Sequence, residues 1–304
     1  MRITKGNKVL IIGGCGYVGS ALYKHLLQCG FSVDTVDLEW FGNEANKSNI
    51  CIDFRYLDRG HFAKYGIVIL LAGHSSVPMC QYDRGSSFRN NVVNFVDLLD
   101  KLDDQKLIYA SSSSIYGNTH DIAAPENWER YDPKTFYDLN KQEIDYYAQL
   151  NDVESYGLRF GTVNGWSPNF RVDIMLNKMY QCAIDDNEIF VFNKHIYRPI
   201  LGIQDLVRAV TCIIQGEDHR GIYNLASFNA SVEEIANSIN RVLGGGVQVT
   251  DKGMSQTYNF SISTKKFEET YGFEFRASVD SIVKSISENW EDSHKTVRER
   301  KEYV

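Results

Sequence analysis

Several kinds of residue are scarce in this chain, and each shortage closes off a class of function. Basic residues are outnumbered: 32 Lys and Arg stand against 39 Asp and Glu, a net charge of −7. No basic stripe interleaved with aromatics appears, so nucleic acid is not an expected partner. The six cysteines, at 15, 29, 51, 80, 182 and 212, include no C-x-x-C pair. They read as reduced, small core residues of a cytoplasmic protein. No apolar stretch reaches spanning length and Met1-Arg-Ile-Thr-Lys5 has no signal-peptide core, so no membrane association is expected. His, Cys and acidic residues do not gather at ligand spacings, which argues against a metal. Repeats, low-complexity tracts and long linkers are also lacking. What remains is ordinary globular composition, 43% hydrophobic and 23% charged over 304 residues, enough for one large or two interlocked domains.

The most informative segment is Lys8-Val-Leu-Ile-Ile-Gly-Gly-Cys-Gly-Tyr-Val-Gly19. A five-residue apolar run, the length of a buried parallel strand, breaks at Gly13-Gly14. A helical pattern then puts Val18, Leu22, Leu26 and Leu27 on one face. Both Gly13-x-x-Gly16-x-x-Gly19 and Gly14-x-Gly16-x-x-Gly19 fit a loop in which the backbone can approach a pyrophosphate at a helix N-terminus. A glycine spacing alone would also suit a plain strand-to-helix turn. The next strand, Phe31-Ser-Val-Asp-Thr-Val-Asp37, ends in a carboxylate placed to accept from the ribose hydroxyls. A 2′-phosphate there would meet like charge, so NAD is the expected cofactor rather than NADP.

Short apolar runs continue to alternate with helical patterns. Strands are expected at 8–12, 32–36, 49–53, 67–71, 106–110 and 155–160, with helices near 17–29, 86–102 and 135–150. This is the pattern of a doubly wound parallel α/β sheet of Rossmann type. After about residue 165 the alternation weakens. Helices near 172–185, 204–215, 231–243 and 278–290 mix with short strands at 188–192 and 247–250. The expected organisation is an NAD-binding domain at 1–165 plus about 198–225, with a smaller α/β substrate-binding domain from about 166–197 and 226–304. The charged stretch from Glu291 to Val304 is expected to be solvated or frayed.

Lys106-Leu-Ile-Tyr-Ala-Ser-Ser-Ser-Ser-Ile-Tyr-Gly117 is a strand that runs into a serine-rich loop. Phe136-Tyr-Asp-Leu-Asn-Lys141 holds the chain's only Tyr-x-x-x-Lys. Residues four apart share a helix face. An ammonium there can stabilise tyrosinate and draw a phenol down from ~10. A phenol so tuned can take a hydroxyl proton while hydride leaves the same carbon. A surface helix with one aromatic and one solvated cation would show the same spacing.

Together these segments resemble the extended short-chain dehydrogenase/reductases of the nucleotide-sugar epimerase/dehydratase branch. The resemblance rests on the glycine loop, Asp37, Asp53-Phe54, Leu70-Leu-Ala-Gly73, Asn90-Asn-Val92, the serine loop and Tyr137-x-x-x-Lys141. It continues through Leu158-Arg-Phe, Tyr197-Arg-Pro-Ile-Leu-Gly-Ile-Gln-Asp205 and Gly221-Ile-Tyr-Asn-Leu225, and so covers nearly the whole chain. The resemblance implies Tyr137 as general acid/base, Lys141 as the residue that binds the nicotinamide ribose and tunes Tyr137, and Ser112 on the reacting sugar oxygen. It implies a cofactor site of Gly13, Gly16, Tyr17, Val18, Gly19, Asp37, Asp53, Phe54, Leu71, Ala72, Gly73 and Asn91, with Tyr137 and Lys141. Ser112, Ser113, Thr162, Arg171, Asn177 and Arg198 would meet a nucleotide-diphosphate sugar, Arg198 through its guanidinium fork. A structural ion pair with Asp205 is the plain alternative for Arg198; fixing of the 172–185 helix is that for Arg171 and Asn177.

The departures from the pattern are equally specific. Family dehydratases carry Asp-Glu where this chain has Ser113-Ser114, so a 4,6-dehydratase is not expected. Many epimerases carry Asn where Thr162 stands, a role Asn164 could assume. The expected function is an NAD-dependent sugar-nucleotide enzyme moving hydride at a sugar carbon, C4 first, most simply a 4-epimerase. A 4-dehydrogenase or 4-ketoreductase with net redox would use the same residues, and a non-catalytic NAD-binding sensor is a remote third reading. The resemblance also implies a homodimer through a four-helix interface from helices 86–102 and 135–150. Val92, Phe95, Leu98, Leu99 and Leu102 are compatible with that interface, or with simply facing the sheet.

Overall fold

The structure is a computed structural model and describes residues 8–120 and 122–291. Its centre is a six-stranded sheet in the order Gly221–Leu225, Ser155–Phe160, Lys106–Ser112, Ile67–Leu70, Lys8–Ile12, Ser32–Val36. Every pairing in it is parallel. Strand alternation divides the core in two. Val9, Ile11, Ile67, Ile69 and Ile108 face the helices Tyr17–Gln28, Ile203–Gln215 and Lys265–Tyr271 through Leu22, Leu26, Leu206, Ile213 and Phe267. Leu10, Ile12, Val68, Leu70, Leu107 and Tyr109 face the opposite layer, packing on Phe95, Leu98, Leu99, Ile144 and Ala148. Burial on both faces is why these strands are apolar runs rather than alternating ones.

From Lys8–Ile12 the chain passes first to Ser32–Val36 on one side, then to Ile67–Leu70 on the other. The order therefore reverses between those two neighbours, and the loops at their carboxyl ends enclose a crevice of the kind that takes ligands.

The remainder builds smaller sheets over that edge. Tyr197–Gly202 lies between Phe228–Ser231, antiparallel to it, and Thr162–Asn164, parallel. Glu188–Val191 pairs with Gln248–Asp251, and Ala123–Ala124 with Ser261–Ile262. Helices Met175–Asp185, Val232–Val242 and Val279–Ser287 share a third core of Leu176, Tyr180, Ile235, Ile239, Ile282 and Ile286. Tyr17, from the glycine-loop helix, is buried in the same core.

Two expected elements differ. The run 49–53 forms only a single bridge, Ile50 to Val36. The Asp53 carboxylate caps the following turn, Phe54–Tyr56, and the Asn49 side chain reaches back to Asp37 and Glu39, so no ladder extends. The 86–102 helix is three pieces: Arg84–Phe88 capped by Asp83, a widened π turn over Arg89–Val93, and Asn94–Leu99. The turn widens where the Asn91 side chain binds the backbone of the crevice loop, a setting typical of π insertions. Val92, Phe95, Leu98, Leu99 and Leu102 are all buried against the sheet and so are not surface contacts for a second subunit. Most of the stretch from Glu291 to Val304 lies outside the described residues.

Candidate active site

The glycine loop is shaped by two different constraints. Gly13 has φ +90°, and a Cβ there would stand 2.5 Å from the Ala72 amide nitrogen; one on Gly19 would stand 2.1 Å from the Gly13 carbonyl oxygen. Both glycines are demanded by the protein's own backbone. Gly16 is not: its Cβ would find nothing nearer than 3.5 Å. Gly16 is also the N-cap of Tyr17–Gln28, with no side chain capping the helix and no acid in its first turn. An open glycine face over uncapped amides is a fitting seat for a pyrophosphate.

Asp37 stands at the next strand end. Its two oxygens accept from the amides of Cys15, 2.9 Å, and Glu39, 2.7 Å. Burial raises its pKa above the usual carboxylate value despite those bonds. The remaining lone pairs suit ribose hydroxyls. Asp53 has its side chain on the Arg55 amide and guanidinium, with Phe54 half-buried beside it. The amides of Leu71 and Ala72 both go to the Ile12 carbonyl, continuing the strand pairing to the crevice floor. Asn91 Oδ1 accepts from the His74 amide and its Nδ2 donates to the His74 carbonyl. This corrects its expected contact: its side chain is spent on shaping the Gly73-His74 loop.

Three residues not foreseen close the crevice from outside. The Trp40 ring meets His74 edge-on at 5.8 Å, joining the loops that follow the second and third strands. Buried Asn169 donates to the Cys15 carbonyl at 2.6 Å and to Phe41 at 3.3 Å. Its neighbour in the Ser-Pro-Asn run, Ser167, holds the Tyr17 carbonyl at 2.6 Å. The partners of this run, Tyr17 and Cys15, lie about 150 residues away in the chain, beyond the reach of any local spacing.

Ser112, Tyr137 and Lys141 come together at the carboxyl end of Lys106–Ser112. Thr135 and Asp138 form a capping box that starts the helix Phe136–Leu150 at this point, and Tyr137 and Lys141 share its inner face. The Ser112 hydroxyl hydrogen-bonds the phenol. Lys141 Nζ is 5.8 Å from the Tyr137 ring centre and donates to the Ala110 carbonyl at 2.6 Å.

The electrostatics correct one expectation. The phenol is not drawn down by the lysine: burial pushes it up to about 12, with Ser112 and then Arg171 opposing. Burial also pulls Lys141 down to about 8, which Asp145 and Cys80 partly resist. In the protein alone Tyr137 is therefore a proton donor at neutral pH, and the cation acting on it is Arg171.

The remaining expected residues divide. Arg198 is not paired with Asp205, whose carboxylate takes Arg208, Ser227 and the amides of Arg276 and Ala277. Arg198 instead bonds Thr257 at 2.9 Å and lies over the Phe260 ring, its buried Nε without a partner among the described residues. A guanidinium with a spare buried donor invites an anion. Arg171 is held in a fork by Asp173 and reaches Ser75 across the crevice at 3.3 Å. Asn177 is fully buried and spent on Gly165, Arg171 and Tyr17, so the expected sugar contact is corrected to a brace. Asn164 is likewise consumed, by Thr162 and Leu176, and cannot replace the missing asparagine. Thr162 is half-buried beside it. The Ser113 hydroxyl turns to the Phe160 carbonyl at 2.8 Å, away from the role expected of it as a substrate donor.

The profile of the NAD dependent epimerase/dehydratase family matches residues 9–226, spanning the glycine loop, the serine loop and the Tyr-Lys helix. The chain belongs to that family. Its cofactor is NAD, for which the open Gly16 face and Asp37 are suited. Protein CapI of Staphylococcus aureus is 28% identical over 68% of this chain and 69% of its own length. Among solved structures, UDP-glucose 4-epimerase of Thermotoga maritima superposes with a TM-score of 0.83 at 19% identity over 94% of this chain and 99% of that one. A dTDP-glucose 4,6-dehydratase of Streptomyces venezuelae, DesIV, superposes with a TM-score of 0.77 at 17% identity over 93% and 97%. Epimerases and dehydratases thus share this fold, and the likeness alone does not separate their reactions.

Proposed function

We propose that this protein is an NAD-dependent enzyme acting on a nucleotide-diphosphate sugar, transferring hydride at a sugar carbon, C4 first, as a 4-epimerase. The observation that carries the reading is the meeting of Ser112, Tyr137 and Lys141 beside the glycine-lined crevice. NAD supplies the hydride acceptor. Tyr137 exchanges a proton with the sugar hydroxyl, Ser112 holds that oxygen within reach of the phenol, and Lys141, anchored on the Ala110 carbonyl and on the same helix face, is the residue to meet the nicotinamide ribose. The spare Nε of Arg198 supports its role as the diphosphate contact, with Arg171 on the opposite wall.

The division into a cofactor part, 1–165 with 198–225, and a substrate part rests on the parallel sheet and the third core. A cytoplasmic setting accords with cysteines that are all unpaired. Among the described residues no helix is long and apolar enough to cross a membrane, and no cluster of possible metal ligands occurs.

Dehydration needs a carboxylic acid at the loop. Ser113 and Ser114 provide none, and the nearby Asp138 is fully buried, which supports epimerisation over loss of water. A homodimer through the two helical segments is supported by a different set of residues from those first considered: Phe88, Val93, Leu139, Tyr146 and Leu150 are exposed. Purified protein should interconvert UDP-glucose and UDP-galactose with no net change at the NADH absorbance. Stoichiometric NADH would instead assign net oxidation, water loss a dehydratase, and NAD binding with no turnover of any sugar nucleotide would refute the enzyme reading.

A further inference from the structure

The serine loop resembles a row of hydrogen-bond donors, but the protons of Ser113 and Ser114 are already committed. A serine hydroxyl has one O–H to give and two lone pairs to receive with. Ser113 gives its proton to the Phe160 carbonyl at 2.8 Å, and Ser114 gives its own to Asp138 Oδ1. Ser114 Oγ also lies 2.8 Å from Ser112 Oγ, directly beside the hydroxyl that faces Tyr137. With its proton on Asp138, Ser114 has only lone pairs for Ser112 and for whatever substituent lies next to the reacting carbon.

The committed state is held firmly. Asp138 has no exposed surface. Its second oxygen accepts the Thr135 amide at 3.1 Å, the Thr135 hydroxyl at 2.7 Å and the Tyr258 hydroxyl at 2.6 Å. Turning the Ser114 proton outward would take a charge-assisted bond from a buried carboxylate, which costs roughly tenfold to a hundredfold in affinity. Arg171, whose charge acts on Tyr137, offers little compensation, because it is already forked onto Asp173.

We propose that Asp138, acting through Ser114, is a specificity-determining residue that makes the sugar side of this loop acceptor-only. The site then takes a neutral hexose, whose hydroxyls donate, and discriminates against the corresponding uronate, whose carboxylate needs donors and would sit close to Asp138. This inference rests on the nucleotide-sugar reading above and adds the class of sugar.

The test is calorimetric titration of NAD-loaded protein with UDP, UDP-glucose and UDP-glucuronate, which needs no turnover. UDP-glucuronate should bind at least about tenfold more weakly than UDP-glucose. Asp138→Asn, whose amide both donates and accepts, should narrow that ratio to within about threefold. If loss of the capping box prevents Asp138→Asn from folding, the wild-type ratio decides alone. Equal or tighter binding of UDP-glucuronate, with UDP and UDP-glucose both bound, overturns this inference and leaves the broader reading standing. Failure of all three ligands to bind overturns both.

Discussion

Gly16→Ala separates folding from cofactor binding more cleanly than any other change in this protein. Gly16 has φ −69° and ψ 179°, values any residue adopts, and the added methyl would meet nothing nearer than the Gly13 carbonyl oxygen at 3.5 Å. The cost to folding is that of replacing an N-cap glycine by alanine, about 0.5–1 kcal/mol. For a chain of this size that is a fall in Tm of about 2 °C. The methyl would, however, stand on the open face where a pyrophosphate is expected. Displacing one charge-assisted amide bond costs about 1.5–3 kcal/mol, a loss of roughly tenfold to a hundredfold in NAD affinity. Gly19→Ala is the control: its methyl would stand 2.1 Å from the Gly13 carbonyl oxygen, and the backbone itself must give way. That variant should lose several degrees of Tm even without cofactor. The assays are thermal melting of stripped protein, calorimetric titration with NAD, and NAD released per chain on denaturation. A Gly16→Ala protein that binds NAD within about threefold of wild type would refute the placement of the pyrophosphate on this face.

Tyr137→Phe should retain NAD and lose turnover by about 10²–10⁴-fold, the range for removal of a general acid/base, as read by a discontinuous assay of sugar interconversion. Lys141→Met should raise Tm by a few degrees at pH 7, with the gain fading by pH 10. The folded-state pKa of Lys141, about 8, lies below its ordinary value of 10.5, so the buried ammonium is destabilising below pH 8 and that cost is relieved as pH rises toward 10.5. A gain that persists unchanged at pH 10 would show that Lys141 is not desolvated as described. Asp37→Asn keeps the shape of the loop but removes the charge; NAD should bind more weakly and the preference over NADP should shrink, measured by paired titrations. Leu139→Glu, on the exposed helix face, should convert a dimer to a monomer in light scattering without lowering the Tm of the monomeric unit; a dimer that persists refutes that interface.

Local chemistry was legible wherever it depended on neighbours in the chain. The strand 8–12 and the helix behind it follow from a run of apolar residues, a glycine break and a 3.6-residue period, all within 20 positions. Tyr137 and Lys141 share a helix face by spacing alone. The parallel sheet was likewise implied by strands too apolar to have a wet side. Other features were decided only when distant segments met. Asn177 reads equally as a sugar contact or as a brace, and only the arrival of Tyr17 and Gly165 made it a brace. Helix 86–102 has an unbroken helical pattern, yet the demand of the His74 backbone for the Asn91 amide widened it. The phenol of Tyr137 was expected to be lowered by the lysine four residues on, but burial, which no local spacing encodes, outweighs a cation whose own charge is weakened by the same desolvation. Ser113 reads as a substrate contact until the Phe160 carbonyl takes its proton. Sequence fixes which groups are available, because composition and periodicity are local; tertiary structure decides which of them remain unspent, because hydrogen bonds and burial are settled by residues far along the chain.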